Sequence, residues 1–208
     1  MGAVYLALDT SLQRYVALKV IRGMGDGSSA GNRTSRLKQE AIAQARLNHP
    51  HVVTIYFVGE QDGRAFFAME LVPGQTLAAL AKAGPMPFAR LVEMAIETAT
   101  ALQHADAFDI VHGDIKPSNL MSDADGRIKL GDFGLARFQS ERRDAGGSIS
   151  GTLDYLAPEL LEGSLPDLHS DMYALGATLY ELAYGRADRT SSGRTLVEKI
   201  DRQRERVW

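Results

Sequence analysis

Four side chains between positions 114 and 132 are of types that do chemistry together. Asp114, Lys116 and Asn119 stand within VHGDIKPSNLM, and Asp132 follows thirteen residues past Asn119, after IKLG and beside Phe133. Oxygen-bearing side chains such as Asn119 and Asp132 suit a hard divalent ion, which takes the rest of its shell from phosphate and water. Asp114 is a group that can accept a hydrogen bond from a reacting hydroxyl, and Lys116 is a cation two residues away. Such a cluster is costly to hold without a use, because the charges repel and lose solvation.

Two sets of elements must position these groups. VYLALD (Val4–Asp9) and RYVALKVI (Arg14–Ile21) are β-branched and aromatic runs parted by Thr10–Gln13, and read as a hairpin. Alternation puts Ala17 and Lys19 on one face of the second strand. Residues 33–47 carry apolar positions at Leu37, Ala41, Ala45 and Leu47, a helix that stops before His49-Pro50. His51–Val58 and Arg64–Val72 are expected strands around Gln61-Asp62-Gly63, and Pro73-Gly74 ends this half of the chain. Beyond it, helices are expected at Thr76–Lys82, Phe88–Ala107, Asp167–Tyr184 and Leu196–Val207, and a strand at Ile128–Leu130. The helix at 167–184 is apolar on so many sides that it reads as buried core. Leu135–Leu156 has no periodicity over a length that marks a functional loop.

The totals fit a folded chain and exclude little else. Its 208 residues are 45% hydrophobic and 24% charged, with a net charge of −3, so nothing points to nucleic acid or a membrane surface. Cysteine is absent, which removes disulfides, thiolate chemistry and cysteine zinc sites. No apolar run reaches membrane-spanning length. The first residues lack the zones of a signal peptide, so the expected location is cytoplasmic.

These motifs resemble the eukaryotic-type protein kinase family, and the phrasing LNHP and VHGDIKPSNLM resembles its bacterial serine/threonine members. The likeness runs from Gly2 to about Gly185. It implies an α+β, two-lobed fold, with a small antiparallel-sheet N-lobe and one helix in residues 1–72 and a mainly helical C-lobe in 73–208. It implies a serine/threonine protein kinase that uses ATP and Mg2+, or Mn2+ in its place, to phosphorylate serine or threonine hydroxyls of a protein substrate. Asp114 would aim the hydroxyl, and Lys116 would sit against the transferred phosphate. Lys19 would hold the α- and β-phosphates, kept in place by Glu40. Asn119 and Asp132 would bind the metal. Gly2, Val4, Ala17, Met69, Glu70, Val72 and Met121 would line the nucleotide site, with Met69 as gatekeeper and the backbone of Glu70 and Val72 as the hinge. Thr152 would brace Asp114 and Lys116, and Asp171 would anchor the catalytic-loop backbone.

The pattern departs from the family in four places. The glycine loop G-x-G-x-x-G-x-V is matched only from its third glycine, Gly2. No partner for Glu159 is evident among Arg186, Arg189 and Arg194, so the resemblance implies a domain shortened at both ends. Gly113 replaces the arginine of H-R-D, which implies activity independent of phosphorylation at Ser148 or Ser150. Gln44 stands where an apolar residue is usual, which implies a loosely docked helix. Two other functions are compatible with the residues: a catalytically impaired kinase-like nucleotide-binding or interaction module, and a small-molecule phosphotransferase of the aminoglycoside or choline type.

Overall fold

The computed structural model describes residues 3–20, 41, 42, 44–61, 64–133, 153–161 and 163–184. A four-stranded antiparallel sheet comes first, from β1 (Ala3–Asp9), β2 (Arg14–Val20), β3 (Ile55–Gln61) and β4 (Arg64–Met69), in the order β1-β2-β4-β3. The β1–β2 turn is fixed by Asp9, whose carboxylate accepts from the N–H groups of Ser11 and Leu12. Cross-strand register puts Val4 opposite Lys19, Leu6 opposite Ala17, and Ala17 opposite Met69. Directly opposed residues share a face, so Val4, Ala17, Lys19 and Met69 lie on one side of the sheet. Ala41, Ile42 and Gln44 are helical, and Leu47 N–H closes that turn on the Gln44 carbonyl.

A second, three-stranded antiparallel sheet is built from β5 (Gln75–Thr76), β6 (Leu120–Ser122) and β7 (Ile128–Leu130). Around it are α1 (Leu77–Leu80), α2 (Phe88–Asp106), α3 (Pro158–Leu161) and α4 (Leu168–Tyr184). Thr76 caps α1 by accepting from Ala79 N–H. Helix α2 buries Leu91, Met94, Thr98, Ala101, Leu102 and Ala105, a stripe at three- and four-residue spacing. It packs against α4, which buries Ala174, Leu175, Ala177, Thr178 and Leu182 along one face. The side chains of Leu77, Leu102, Leu120, Ile128 and Leu130 are almost wholly removed from solvent and form the centre of this half.

The expected strand at His51–Val58 is displaced: β3 begins at Ile55. Residues 51–53 pair elsewhere, with Leu130 N–H donating to the His51 carbonyl and Val53 N–H to the Leu130 carbonyl. The first half is thereby tied by main-chain bonds to β7, the strand leading to Asp132. Beside this junction the His49 ring stacks on His104. Burial and the neighbouring His104, His51 and Lys129 hold the His49 pKa below its ordinary value. Strand β4 ends at Met69 rather than Val72. At Gly74 a side chain has no room, since a Cβ there would lie 1.8 Å from the Ser122 carbonyl oxygen. The elements expected at Leu135–Leu156 and Leu196–Val207 fall largely or wholly outside the described residues.

Candidate active site

The loop from Gly113 to Asn119 is fixed at both ends before any functional side chain is considered. Asp171, in the first turn of α4, accepts from His112 N–H at 2.8 Å and from Gly113 N–H at 2.7 Å. That turn is set by a reciprocal cap: Asp167 accepts from Ser170 N–H, while Ser170 Oγ accepts from Asp167 N–H. The Ser170 N–H first, and then His169, hold the Asp167 carboxyl below its ordinary value. His112 is fully buried, and its Nδ1 accepts from Asp114 N–H, so Nε2 carries the proton and donates to the Gly131 carbonyl. At the far end, Gly131 N–H donates to the Asn119 carbonyl at 3.0 Å. The loop carrying Asp114 and the segment carrying Asp132 are therefore bonded to each other on two sides.

Gly113 has φ +71°, a conformation in which a side chain costs about 1–2 kcal/mol. Its place in the loop thus has a backbone reason besides the absent cation. Gly113→Arg should lower the melting temperature by roughly 2–4 °C for each kcal/mol lost in a chain of this size. A thermal melt indistinguishable from wild type would contradict this.

Asp114 is 7% exposed. Its Oδ2 accepts from Lys116 Nζ at 2.7 Å and from Asn119 Nδ2 at 3.0 Å. Asn119 Nδ2 also donates to the Asp114 carbonyl at 2.8 Å. Asp114 Oδ1 is buried and has no partner among the described residues. A carboxylate with one oxygen doubly bonded and the other unmatched is built to accept one more hydrogen bond.

Lys19 reaches down from β2 to Asp132, Nζ to Oδ1 2.5 Å. Asp132 lies at φ +61°, strained for a residue with a side chain. The Asn119 amide nitrogen is committed to Asp114, which leaves its oxygen as the group for an ion. Asp132 is partly exposed and has a second carboxylate oxygen besides the one that meets Lys19. An oxygen pair of this kind fits magnesium bound jointly with phosphate. Among the described residues no three His, Asp or Glu side chains gather so as to hold a metal unaided, so phosphate oxygens and water would complete the shell.

The other expected residues divide in two. Ala17 and Val72 are buried, and Met69, Glu70 and Met121 are half-buried or on strand ends around the sheet junction. Val4 is exposed on the same sheet face as Lys19. Glu70 N–H is given to the Thr54 carbonyl, so what Glu70 can offer a base is its carbonyl. Gly2, Glu40 and Thr152 lie outside the described residues, as do Ser148, Ser150, Arg186, Arg189 and Arg194. Two contacts were not foreseen. The Glu70 carboxylate pairs with Lys129 Nζ at 2.8 Å and accepts from Thr54 N–H, bracing the hinge against β7. Gln44 is buried and bonded at both ends of its amide, to Val53 and Phe133. Its polar type at an expected apolar position was the signal.

A two-lobed scaffold with a strand cation over an Asp–Asn–Asp floor defines a class of phosphate-transferring proteins. The chain matches the protein kinase domain over residues 1–207, and it belongs to that family. It is 39% identical over 188 residues to the serine/threonine-protein kinase PrkC of Bacillus subtilis, covering 89% of this chain and 29% of that protein. It is 36% identical over 192 residues to the serine/threonine-protein kinase PknB of Mycobacterium leprae, covering 89% and 30%. A probable serine/threonine-protein kinase of Clostridium acetobutylicum is 37% identical over 187 residues, covering 89% and 28%. The chain thus spans under a third of the length of these curated relatives. No helix among the described residues is long and apolar enough to cross a membrane.

Proposed function

We propose that this chain transfers the γ-phosphate of ATP to serine or threonine hydroxyls of a protein, with magnesium, in the cytoplasm. The observation that carries this reading is the Lys19–Asp132 pair at 2.5 Å above a loop where Asp114 and Asn119 are bonded to each other. We divide the chain into an N-lobe, 1–72, and a C-lobe, 73–208, with the cleft between them. When bound, the ion would neutralise phosphate charge as it develops. Asp114 Oδ1 accepts the substrate hydroxyl and aims it. Lys116, already beside Asp114, neutralises the incoming phosphate edge. Lys19 moves from Asp132 to the nucleotide phosphates, leaving the Asp132 carboxylate to the ion. The similarity to proteins named serine/threonine-protein kinases supports a protein hydroxyl as acceptor.

The direct test is transfer of label from γ-labelled ATP to the chain itself and to general protein substrates, followed by phosphoamino-acid analysis. Label on serine or threonine is expected. Label appearing only on aminoglycosides or choline would replace this reading with a small-molecule one. Stabilisation by Mg-ATP without transfer would leave a binding module. Lys19→Met should reduce kcat/KM for ATP by about 10²–10³-fold, the cost of losing one fixed donor to developing charge. Steady-state rates at varied ATP measure it, and a loss under threefold would remove Lys19 from the mechanism.

A further inference from the structure

Asp132 occupies a strained left-handed conformation, and strain of this sort persists only where the neighbours over-determine it. On its N-terminal side, Gly131 is held twice: its N–H by the Asn119 carbonyl and its carbonyl by His112 Nε2. On its C-terminal side, Phe133 N–H donates to Gln44 Oε1 at 3.3 Å. Gln44 Nε2 donates to the Val53 carbonyl at 3.0 Å, and the residue is 4% exposed. Val53 in turn gives its N–H to the Leu130 carbonyl. The Phe133 ring is buried against His112, centroids 4.7 Å apart.

We propose that Gln44 is a positioning residue: its amide bridges Val53 and Phe133 and so keeps the Asp132 carboxylate turned toward Lys19 and the ion. An apolar side chain of similar size would pack against Phe133 but would leave its N–H without an acceptor. Gln44 instead bonds the backbone of the residue next to Asp132, so release of Phe133 breaks a bond as well as a ring contact. The proposal rests on the kinase reading for its metal, but the bridge itself does not.

The test compares the wild-type chain with Gln44→Met, which fills the space and makes neither bond. The magnesium concentration for half-maximal transfer, at saturating ATP, should rise about tenfold, the size of one buried hydrogen bond. Amide hydrogen exchange of Phe133 should accelerate by a similar factor. Exchange at Leu130, whose N–H bonds the His51 carbonyl, should not change. A merely structural role for Gln44 would accelerate both amides together. If Gln44→Met does not fold, Gln44→Glu serves, since it keeps the acceptor for Phe133 and loses the donor to Val53. Phe133 exchange should then stay as slow as in wild type, and exchange about tenfold faster in Gln44→Glu, which keeps the acceptor, overturns the proposal. Unchanged Phe133 exchange in Gln44→Met, or loosening at Phe133 and Leu130 alike, overturns the proposal. If wild type transfers no phosphate yet Phe133 alone is released in the variant, the bridge stands and the kinase reading falls.

Discussion

Asp114→Asn should leave the chain folded and able to bind Mg-ATP while slowing phosphate transfer by about 10²–10⁴-fold, the range for a positioned proton acceptor. The reason lies in which atoms the carboxylate already uses. Oδ2 is held by two donors, Lys116 Nζ and Asn119 Nδ2. An asparagine must turn its oxygen toward those donors, or two cationic and amide N–H groups would face another N–H. Its NH2 then occupies the place of Oδ1, the buried atom that has no partner among the described residues. A substrate hydroxyl arriving there would meet a donor where it needs an acceptor. Volume, burial and the Oδ2 contacts are kept, so melting temperature and nucleotide-induced stabilisation should change little. Single-turnover rates at saturating Mg-ATP separate the effect from binding. A variant within tenfold of wild type would mean that Asp114 does not aim the acceptor.

What could be read from the sequence was local or carried by motif. Asp114 to Asn119 lie on one loop, and their mutual bonds span five residues or fewer. The β7 strand and the α2 and α4 helices follow from short-range patterning, and their observed bounds differ from expectation by a residue at most. The meeting of Lys19 with Asp132 lies beyond any local pattern, since 113 residues separate them; resemblance brings Lys19 only to the nucleotide phosphates. The failures are cases where a distant partner decides. His51–Thr54 has strand-forming residues, but His51 and Val53 spend their backbone groups on Leu130. The expectation for Glu70 concerns its backbone alone, and nothing nearby in the sequence announces that its carboxylate also meets a lysine 59 residues away. Gln44 was a polar oddity until Phe133, 89 residues on, supplied its donor. Local propensity holds no information about such pairings, while the chemistry of the unsatisfied group hints that one must exist.

Asp171→Ala should be the most destabilising single change at the site, costing about 2–6 kcal/mol, because two buried backbone donors lose their acceptor at about 1–3 kcal/mol each. The donors are His112 N–H and Gly113 N–H, and nothing on an alanine can replace the carboxylate. Activity should fall with stability, since the same two bonds hold the loop that carries Asp114. Urea unfolding of the two proteins measures the difference, and a cost under 1 kcal/mol would mean that another group takes over both donors. The residue also gives a signed pH dependence. Burial pushes the Asp171 carboxyl up from its ordinary 3.8, while His112 and the two N–H bonds pull the other way without cancelling it. Between 3.8 and the raised native value the folded chain holds the proton more firmly than the unfolded chain. The stability due to this group is therefore full below 3.8 and is lost as pH rises through the native value. Asp171→Asn removes the titration and keeps the shape, at the cost, the same at every pH, of one N–H donor facing its NH2. The stability gap between wild type and Asp171→Asn should widen as the pH is lowered through that window. A gap that narrows with acid would mean that the two N–H bonds outweigh burial, and that the native carboxyl sits below its ordinary value instead.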